Sequence, residues 1–321
     1  MIQKHIGEPE LDLSLVLPVY NESGNLRVFI PELSAALQET GRSYEIIAVN
    51  DGSTDDSLEA LRELKQDEPN LRVVDFRRNF GQTAGFAAGF DLSRGMHVIT
   101  MDADGQNDPA DIARLLVVMD EGYDIVSGWR QDRKEPFFSR RLPSMIANRI
   151  IGRSTGVVLH DYGCSLKIYH RDVAKHVRLY GELHRFIPAL ASGMGVRVAE
   201  VPVNDRPRVY GKSKYNISKT VRVVLDLVTI IFLLSYLARP MQLFGLAGLL
   251  SGGVGVSLGL YLTAYKLITG ADIGSRPLLS LAILLMILGV QFLVMGLLGE
   301  MQARTYYEVQ SKPVYVIRSE E

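Results

Sequence analysis

The sequence predicts an α/β domain built on a mostly parallel sheet, followed by an apolar two-helix hairpin long enough to cross a membrane. Three observations predict it. From Leu13 to Val203, short apolar runs alternate with helical patterns, the strand–helix rhythm of a parallel sheet. One run, Val98 to Met101, stops abruptly at Asp102-Ala103-Asp104, as a buried strand does where it leaves a sheet at its ligand-binding edge. Charge is also uneven: Met241 to Tyr265 and Leu278 to Gly299 contain no Asp, Glu, Lys or Arg.

Composition sets the outer bounds. The formal net charge of −1 over 321 residues gives no argument for a nucleic-acid partner. The single cysteine, Cys164, excludes an intrachain disulfide and fits a reducing compartment. Before Leu13 the N-terminus (MIQKHIGEPELDL) lacks the apolar core of a secretory signal, so the globular part is expected on the cytoplasmic side.

The elements follow in order. Leu13 to Pro18 (LSLVLP) is nearly continuous in apolar residues, as expected of a strand covered on both faces. Asn21 and Ser23 supply cap-type side chains, and Leu26, Phe29, Ile30, Leu33 and Leu37 follow at helical spacing. Tyr44 to Val49 is a second strand, ending in Asn50-Asp51-Gly52-Ser53. Leu58, Leu61 and Leu64 mark a helix, Leu71 to Phe76 a third strand, and Phe80 to Leu92 another helix leading to the strand before Asp102. Gly81, Gly85 and Gly89 are spaced by four and do not form the G-x-G-x-x-G of a dinucleotide site; close packing of a helix on the sheet is their expected use. Ile112, Leu115, Leu116 and Met119 form the next helical face, and Tyr123 to Trp129 the next strand. Gln131 to Phe138 is charged and turn-like, an expected mobile loop, with Arg140, Arg141, Ser144 and Asn148 on a helix after it. Asp161 to Ile168 (DYGCSLKI) is a turn and strand.

The chain therefore divides into a globular domain (1–203), a basic juxtamembrane region (204–239), two spans within 240–300 (about 241–265 and 278–299) and a C-terminal tail (301–321). Asn204 to Tyr215 (NDRPRVYGKSKY) is basic and lies where it meets anionic groups at a membrane surface. The uncharged run between Asp226 and Arg239 is too short to cross about 30 Å of hydrocarbon. Preceded by Lys214, Lys219 and Arg222, it reads as an interfacial amphipathic helix. The short connection from Lys266 to Pro277 puts both outer ends of the hairpin on one side. Arg239 and Arg304 favour the cytoplasm for those ends, an asymmetry that Lys266 and Arg276 weaken. The pairs Gly248/Gly252 and Gly255/Gly259 have small-xxx-small spacing, which serves either the hairpin or contacts between copies in a homo-oligomer. Val314 to Ile317 is apolar enough to add a strand to a neighbour.

Alternation along the backbone puts Asp102 and Asp104 on one side, where both can reach one hard cation that in turn holds a diphosphate; the other reading is a solvated acidic turn capping the next helix. Taken with Leu15 to Glu22 (LVLPVYNE), Asn50 to Ser53 (NDGS) and the hairpin, the pair resembles the family-2 glycosyltransferases of GT-A fold. More narrowly, the chain is similar over nearly its whole length to the polyprenyl-phosphate glycosyltransferases, including the dolichol-phosphate mannosyltransferases and bactoprenol glucosyltransferases.

That resemblance implies a Rossmann-like, mostly parallel GT-A domain. It implies inverting transfer of a hexose from a nucleotide sugar to a polyprenyl phosphate, by a multi-pass protein of the cell membrane with its catalytic domain in the cytoplasm. Mg²⁺ or Mn²⁺ would be held by Asp102 and Asp104, with Gln106 either a third ligand or an ordinary turn amide. Pro18, Tyr20, Asn21, Glu22, Asp51 and Asp102 would contact the nucleotide sugar, Asp51 accepting from a uracil or guanine N–H. Asp104 would be the catalytic carboxylate. Asp161, in a D-x-G-C-type stretch, has a catalytic or positioning role, or is simply a turn residue. Arg130, Arg140, Ser144, Arg208 and Lys214 would hold the acceptor phosphate, with Arg141 leaving the Arg140 register open by one. The two-span tail resembles the bacterial glucosyl group, which favours UDP-glucose, with GDP-mannose as the alternative donor. A processive polysaccharide synthase would carry Q-x-x-R-W, and the only tryptophan, Trp129, is not in that setting. A non-enzymatic membrane scaffold is disfavoured by the intact Asp102 and Asp104.

Overall fold

The computed structural model describes residues 9–131, 149, 151–152, 155–179, 183–207, 240–274 and 276–309. The chain forms two units, residues 2–230 and 231–321.

In the first unit a seven-stranded sheet is built from β1 (Leu11–Val19), β2 (Tyr44–Asn50), β3 (Leu71–Asp75), β4 (Gly95–Thr100), β5 (Ile125–Arg130), β6 (Lys167–His170) and β7 (Val198–Val203), in the order β3-β2-β1-β4-β6-β5-β7. Strands β1 to β4 are parallel neighbours, and β5 pairs parallel with β7. The exception is β6, which runs antiparallel between β4 and β5. Because β1 has β2 on one side and β4 on the other, the connections diverge at its carboxyl end and open a crevice there.

The continuous apolar character of β1 follows from burial on both faces. Leu13, Leu15 and Leu17 join a core with Leu26, Phe29, Ile30 and Leu33 of α1 (Ser23–Glu39) and Ile112 and Leu115 of α4 (Asp111–Asp120). On the opposite face Val16 packs with Val98 and with Phe86 and Phe90 of α3 (Gln82–Leu92). Helix α2 (Ser57–Asp67) lies between β2 and β3 in the chain. Helix α3 comes unusually close to β1: a Cβ on Gly89 would sit 2.0 Å from Val16 Cγ1, and one on Gly85 2.9 Å from Pro18 Cβ. Gly81 differs from these two. It precedes the helix with φ +94° and open space around it, so it is needed for backbone conformation and not for packing.

One polar cluster is buried on the sheet. Glu45, 1% exposed, accepts from Ser14 Oγ (2.7 Å), Arg72 Nη1 (2.5 Å), and the Arg94 backbone N–H (2.9 Å) and guanidinium. Burial would raise its carboxyl, but the Ser14 hydroxyl and the two arginines outweigh it and hold the group below the ordinary glutamate range.

After β6 come α5 (Arg171–His176), a 3₁₀ turn (Leu183–Phe186) and α6 (Ile187–Ala191). The turn and strand expected over Asp161 to Ile168 are present, with the turn first and the strand from Lys167. Past β7 the chain stays attached: the Asn204 N–H donates to Asp111 Oδ2 (2.7 Å), and the Arg206 guanidinium spans Glu32 and Asp108 (both 2.6 Å).

The second unit contains α7 (Pro240–Thr269) and α8 (Pro277–Val309), both long and apolar enough to cross a membrane. They run antiparallel with small residues between them. A Cβ on Gly248 would lie 2.8 Å from Gly289 O, one on Gly255 2.8 Å from Ala282 O, and one on Gly289 2.7 Å from Gly252 Cα. The glycine repeat thus serves the hairpin itself. Leu246, Leu249, Leu260, Leu284, Ile287 and Val290 are exposed on the outer faces. The expected interfacial helix before Arg239, the Gln131 to Phe138 loop beyond Gln131, and Val314 to Ile317 lie outside the described residues.

Candidate functional site

Strand ends place the site. The loop after β1 carries Pro18, Tyr20, Asn21 and Glu22; the loop after β2 carries Asp51; the loop after β4 carries Asp102 and Asp104. Pro18, Tyr20, Glu22, Asp51, Gln82, Asp102 and Asp104 line one cleft of about 260 Å³. Tyr20 is exposed toward solvent and Asp51 is buried.

Most of these groups also build the cleft. Asn21 adopts a left-handed conformation (φ 57°), its N–H donates to Ser53 Oγ (3.1 Å), and its Oδ1 accepts from the Thr54 N–H (2.8 Å). The Glu22 N–H donates to Ser57 Oγ (2.9 Å), and its carboxylate accepts from Asn25 Nδ2. The oxygens of Asp51 accept from the backbone N–H groups of Phe80 (2.7 Å) and Gly81 (2.9 Å), so this carboxylate fixes the turn that starts α3. Each oxygen keeps a second lone pair.

The two acids behind β4 are close enough to disturb each other. Burial, and then the Asp104 carboxylate, push the Asp102 carboxyl up to about 6, against the Ser165 hydroxyl and the positive fields of Arg185 and Arg130. Gln82, from the first turn of α3, donates to Asp102 Oδ1. Asp104 Oδ1 accepts from the Gln106 N–H at 3.1 Å. Gln106 does not line the cleft, and its carbonyl accepts from the Arg206 N–H (2.8 Å). Among the described residues no three His, Cys, Asp or Glu side chains cluster as a complete metal cage. A buried carboxylate raised by the carboxylate beside it does fit a divalent cation, whose charge relieves the repulsion. Mg²⁺ in particular is commonly bound through one or two carboxylates plus substrate phosphates.

Arg130 and Asp161 meet directly: Nε donates to Oδ2 (2.9 Å) and Nη2 to Oδ1 (3.4 Å). Asp161 is 1% exposed and also accepts from the Gly163 N–H (2.9 Å). Burial lowers the Arg130 pKa, and attraction to Asp161 more than restores it, so the net direction is up. Glu200 of β7 fixes this turn from outside, accepting from the N–H groups of His160 and Asp161, both at 2.9 Å. Arg140, Ser144, Arg208 and Lys214 lie outside the described residues.

Four site residues escape a sequence reading. Gln82 stands twenty positions before the acid it contacts. Lys167 reads as an ordinary strand residue, and His184 and Arg185 sit in a short 3₁₀ turn with no motif of their own. In space, all four line a recess adjoining Asp102.

A four-strand parallel half-sheet, a cleft across its carboxyl edge and a carboxylate pair at the β4 end together give this domain a GT-A-type architecture. Solved structures share this fold. Mannosyl-3-phosphoglycerate synthase from Rubrobacter xylanophilus superposes with a TM-score of 0.55 over 69% of this chain and 74% of that one, at 16% identity. Glucosyl-3-phosphoglycerate synthase from Mycobacterium tuberculosis, in complex with Mn²⁺ and uridine-diphosphate-glucose, gives 0.53 over 70% and 79%, also at 16%. The glycosyl transferase family 2 model matches residues 14–178. A dodecaprenyl-phosphate galacturonate synthase of Rhizobium johnstonii is 45% identical over 312 residues, covering 96% of this chain and 92% of the relative. An undecaprenyl-phosphate 4-deoxy-4-formamido-L-arabinose transferase of Edwardsiella ictaluri is 38% identical over 310 residues, covering 96% and 93%. The chain belongs to glycosyl transferase family 2.

Proposed function

We propose that this protein transfers a sugar from a nucleoside-diphosphate donor to a polyprenyl phosphate, inverting the anomeric centre, on the cytoplasmic face of the cell membrane. The observation that carries the reading is the Asp102–Asp104 pair closing a cleft whose other walls are Pro18, Tyr20, Glu22 and Asp51. End-to-end similarity to transferases named for polyprenyl phosphates supports the acceptor.

Asp102 and Asp104 would hold Mg²⁺ or Mn²⁺, with Gln106 as a candidate further ligand. A bound dication supplies Lewis-acid stabilisation of the charge that develops on the diphosphate leaving group. The protein's own residues do the rest. Gln82 orients Asp102 by its amide, and Asp51 both fixes the Phe80–Gly81 turn and keeps lone pairs for a base N–H. Asn21 locks the β1 and β2 loops together, so that Pro18, Tyr20 and Glu22 face a preformed cleft.

On the acceptor side, a phosphate monoester with a second pKa of about 6 is mostly dianionic at neutral pH. It therefore needs cations more than a base. Arg130 would be one, aimed by Asp161; its Nη1 makes no hydrogen bond among the described residues, while Nε and Nη2 are engaged. Arg140, Ser144, Arg208 and Lys214 complete the proposed phosphate set. Asp161, fully enclosed, would position Arg130. The exposed leucines of α7 and α8 support a hairpin that lies in the bilayer, where the lipid acceptor would be delivered.

UDP-glucose enters as one donor among several. The two-span tail that favours it lies within the 96% of the chain aligned with a relative named for galacturonate, so the tail alone does not select the sugar. The test is incubation of the purified full-length protein with Mn²⁺, undecaprenyl phosphate and labelled UDP- or GDP-sugars. Labelled, solvent-extractable lipid from one donor is expected; no lipid-linked product from any donor would overturn the reading.

A further inference from the structure

We propose that the donor's sugar is a hexuronate, and that Lys167 and Arg185 recognise its carboxylate in the recess beside Asp102. The inference rests on the nucleotide-sugar reading above and specifies the sugar class.

The recess is about 40 Å³ and shares Gln82 and Asp102 with the nucleotide cleft, so a group entering it does so past the carboxylate pair. A cavity needs roughly 10–15 Å³ of such space to hold one water. The space therefore suits one substituent of a sugar ring, not the ring itself.

The charges on its walls choose the substituent. Lys167 is 2% exposed, and its Nζ donates to the carbonyls of Tyr162 (3.2 Å) and Cys164. An ammonium has three N–H donors, and the third has no partner among the described residues. No carboxylate among the described residues lies within ion-pair distance of Lys167 or Arg185. Buried charges are ordinarily paired, because an unpaired one loses its hydration without compensation. Burial draws the Lys167 ammonium below the ordinary lysine range, against the longer-range attraction of Asp161 and Asp102.

The neutral groups there are already committed. Thr100 Oγ1 donates to Ser165 O (2.7 Å), and Ser165 Oγ donates to Asn107 Oδ1 (2.7 Å). His184 is tied to Thr83 Oγ1 through Nδ1 (2.7 Å), and burial pushes it down to about 3, so it stays uncharged and adds no third cation. A hexose hydroxymethyl group would accept a hydrogen bond but bring no charge to the Lys167 ammonium. A C6 carboxylate answers both the charge and the size.

Donor binding tests this without the lipid. Titration calorimetry with the full-length protein and Mn²⁺ would compare UDP-galacturonate, UDP-glucuronate, UDP-galactose, UDP-glucose and UDP. A uronate donor is expected to bind about 30-fold tighter than its neutral counterpart, from charge-assisted hydrogen bonds. Lys167→Met and Arg185→Met are each expected to reduce that uronate-to-hexose ratio about 10-fold or more. Arg185 is exposed on its 3₁₀ turn, so its variant stands if the buried Lys167→Met fails to fold. Equal binding of uronate and hexose would overturn the proposal. So would variants that weaken UDP as much as UDP-uronate, since the cations would then be reading the diphosphate. A uronate preference without transfer to undecaprenyl phosphate would uphold this inference and overturn the acceptor reading. Absence of binding by every UDP compound would overturn both.

Discussion

Gly89 links packing to the site, and its replacement by alanine tests that link. The added Cβ would stand 2.0 Å from Val16 Cγ1 and 2.7 Å from Cγ2, where carbon atoms settle at about 3.5–4.0 Å. Helix α3 or β1 must give by about 1.5 Å, an overpacking of about 3 kcal/mol, at the upper end of the usual range. Alanine recovers about 1 kcal/mol of helix propensity over glycine, leaving a loss of about 2 kcal/mol. For a unit of this size that lowers Tm by roughly 4–8 °C. The first turn of α3 holds Asp102 through Gln82, and the residues just before it are held by Asp51, so a retreating helix loosens the cleft. Transfer is expected to fall about 10- to 100-fold, as for a misplacement on the order of 1 Å. Thermal unfolding in detergent and the lipid-transfer assay read the two effects. Gly193→Ala, with open space around it, is the control and should shift Tm little. A Gly89→Ala protein that melts and turns over like the parent would refute the packing argument.

Other outcomes follow from the same geometry. Asp104→Asn should lower transfer by about 10²- to 10³-fold at saturating Mn²⁺ while leaving the melting temperature near that of the parent, and undiminished turnover would remove the metal assignment. The Glu45 carboxyl is held below its unfolded value, so its stabilisation is complete above the unfolded glutamate pKa and disappears as pH falls through the folded one. Glu45→Gln should therefore cost about 2–3 kcal/mol at pH 7, with the gap to the parent narrowing below about pH 4; a gap constant with pH would contradict this. Gly289→Val puts a side chain where Gly252 Cα is 2.7 Å away, so α7 and α8 must part. A lower melting temperature in detergent is expected, and an unchanged one would show that the glycines are not needed for its packing.

How far the sequence could be read depended on how local the cause was. Strands β1 and β2 announced themselves because burial on both faces demands unbroken apolar runs, and Asp102 and Asp104 because they end such a run. The spacing of Gly81, Gly85 and Gly89 looked uniform, yet only the latter two press on β1, since the first is fixed by a left-handed φ that spacing does not encode. The reversed direction of β6 was hidden because four residues carry no signature of polarity relative to a neighbour. Lys167, His184 and Arg185 were missed for a similar reason: their roles arise where β6 and the 3₁₀ turn close over Asp102 from at least 65 positions away in the chain.

Direct displacement at the Asp102–Asp104 cleft by a lipid phosphate inverts the anomeric centre, and the configuration of the product reports it. Undecaprenyl phosphate and an α-linked UDP-sugar, turned over by the full-length protein with Mn²⁺, should yield a lipid phosphosugar whose anomeric proton by NMR is β. An α-linked product, or no lipid-linked sugar at all, would contradict it.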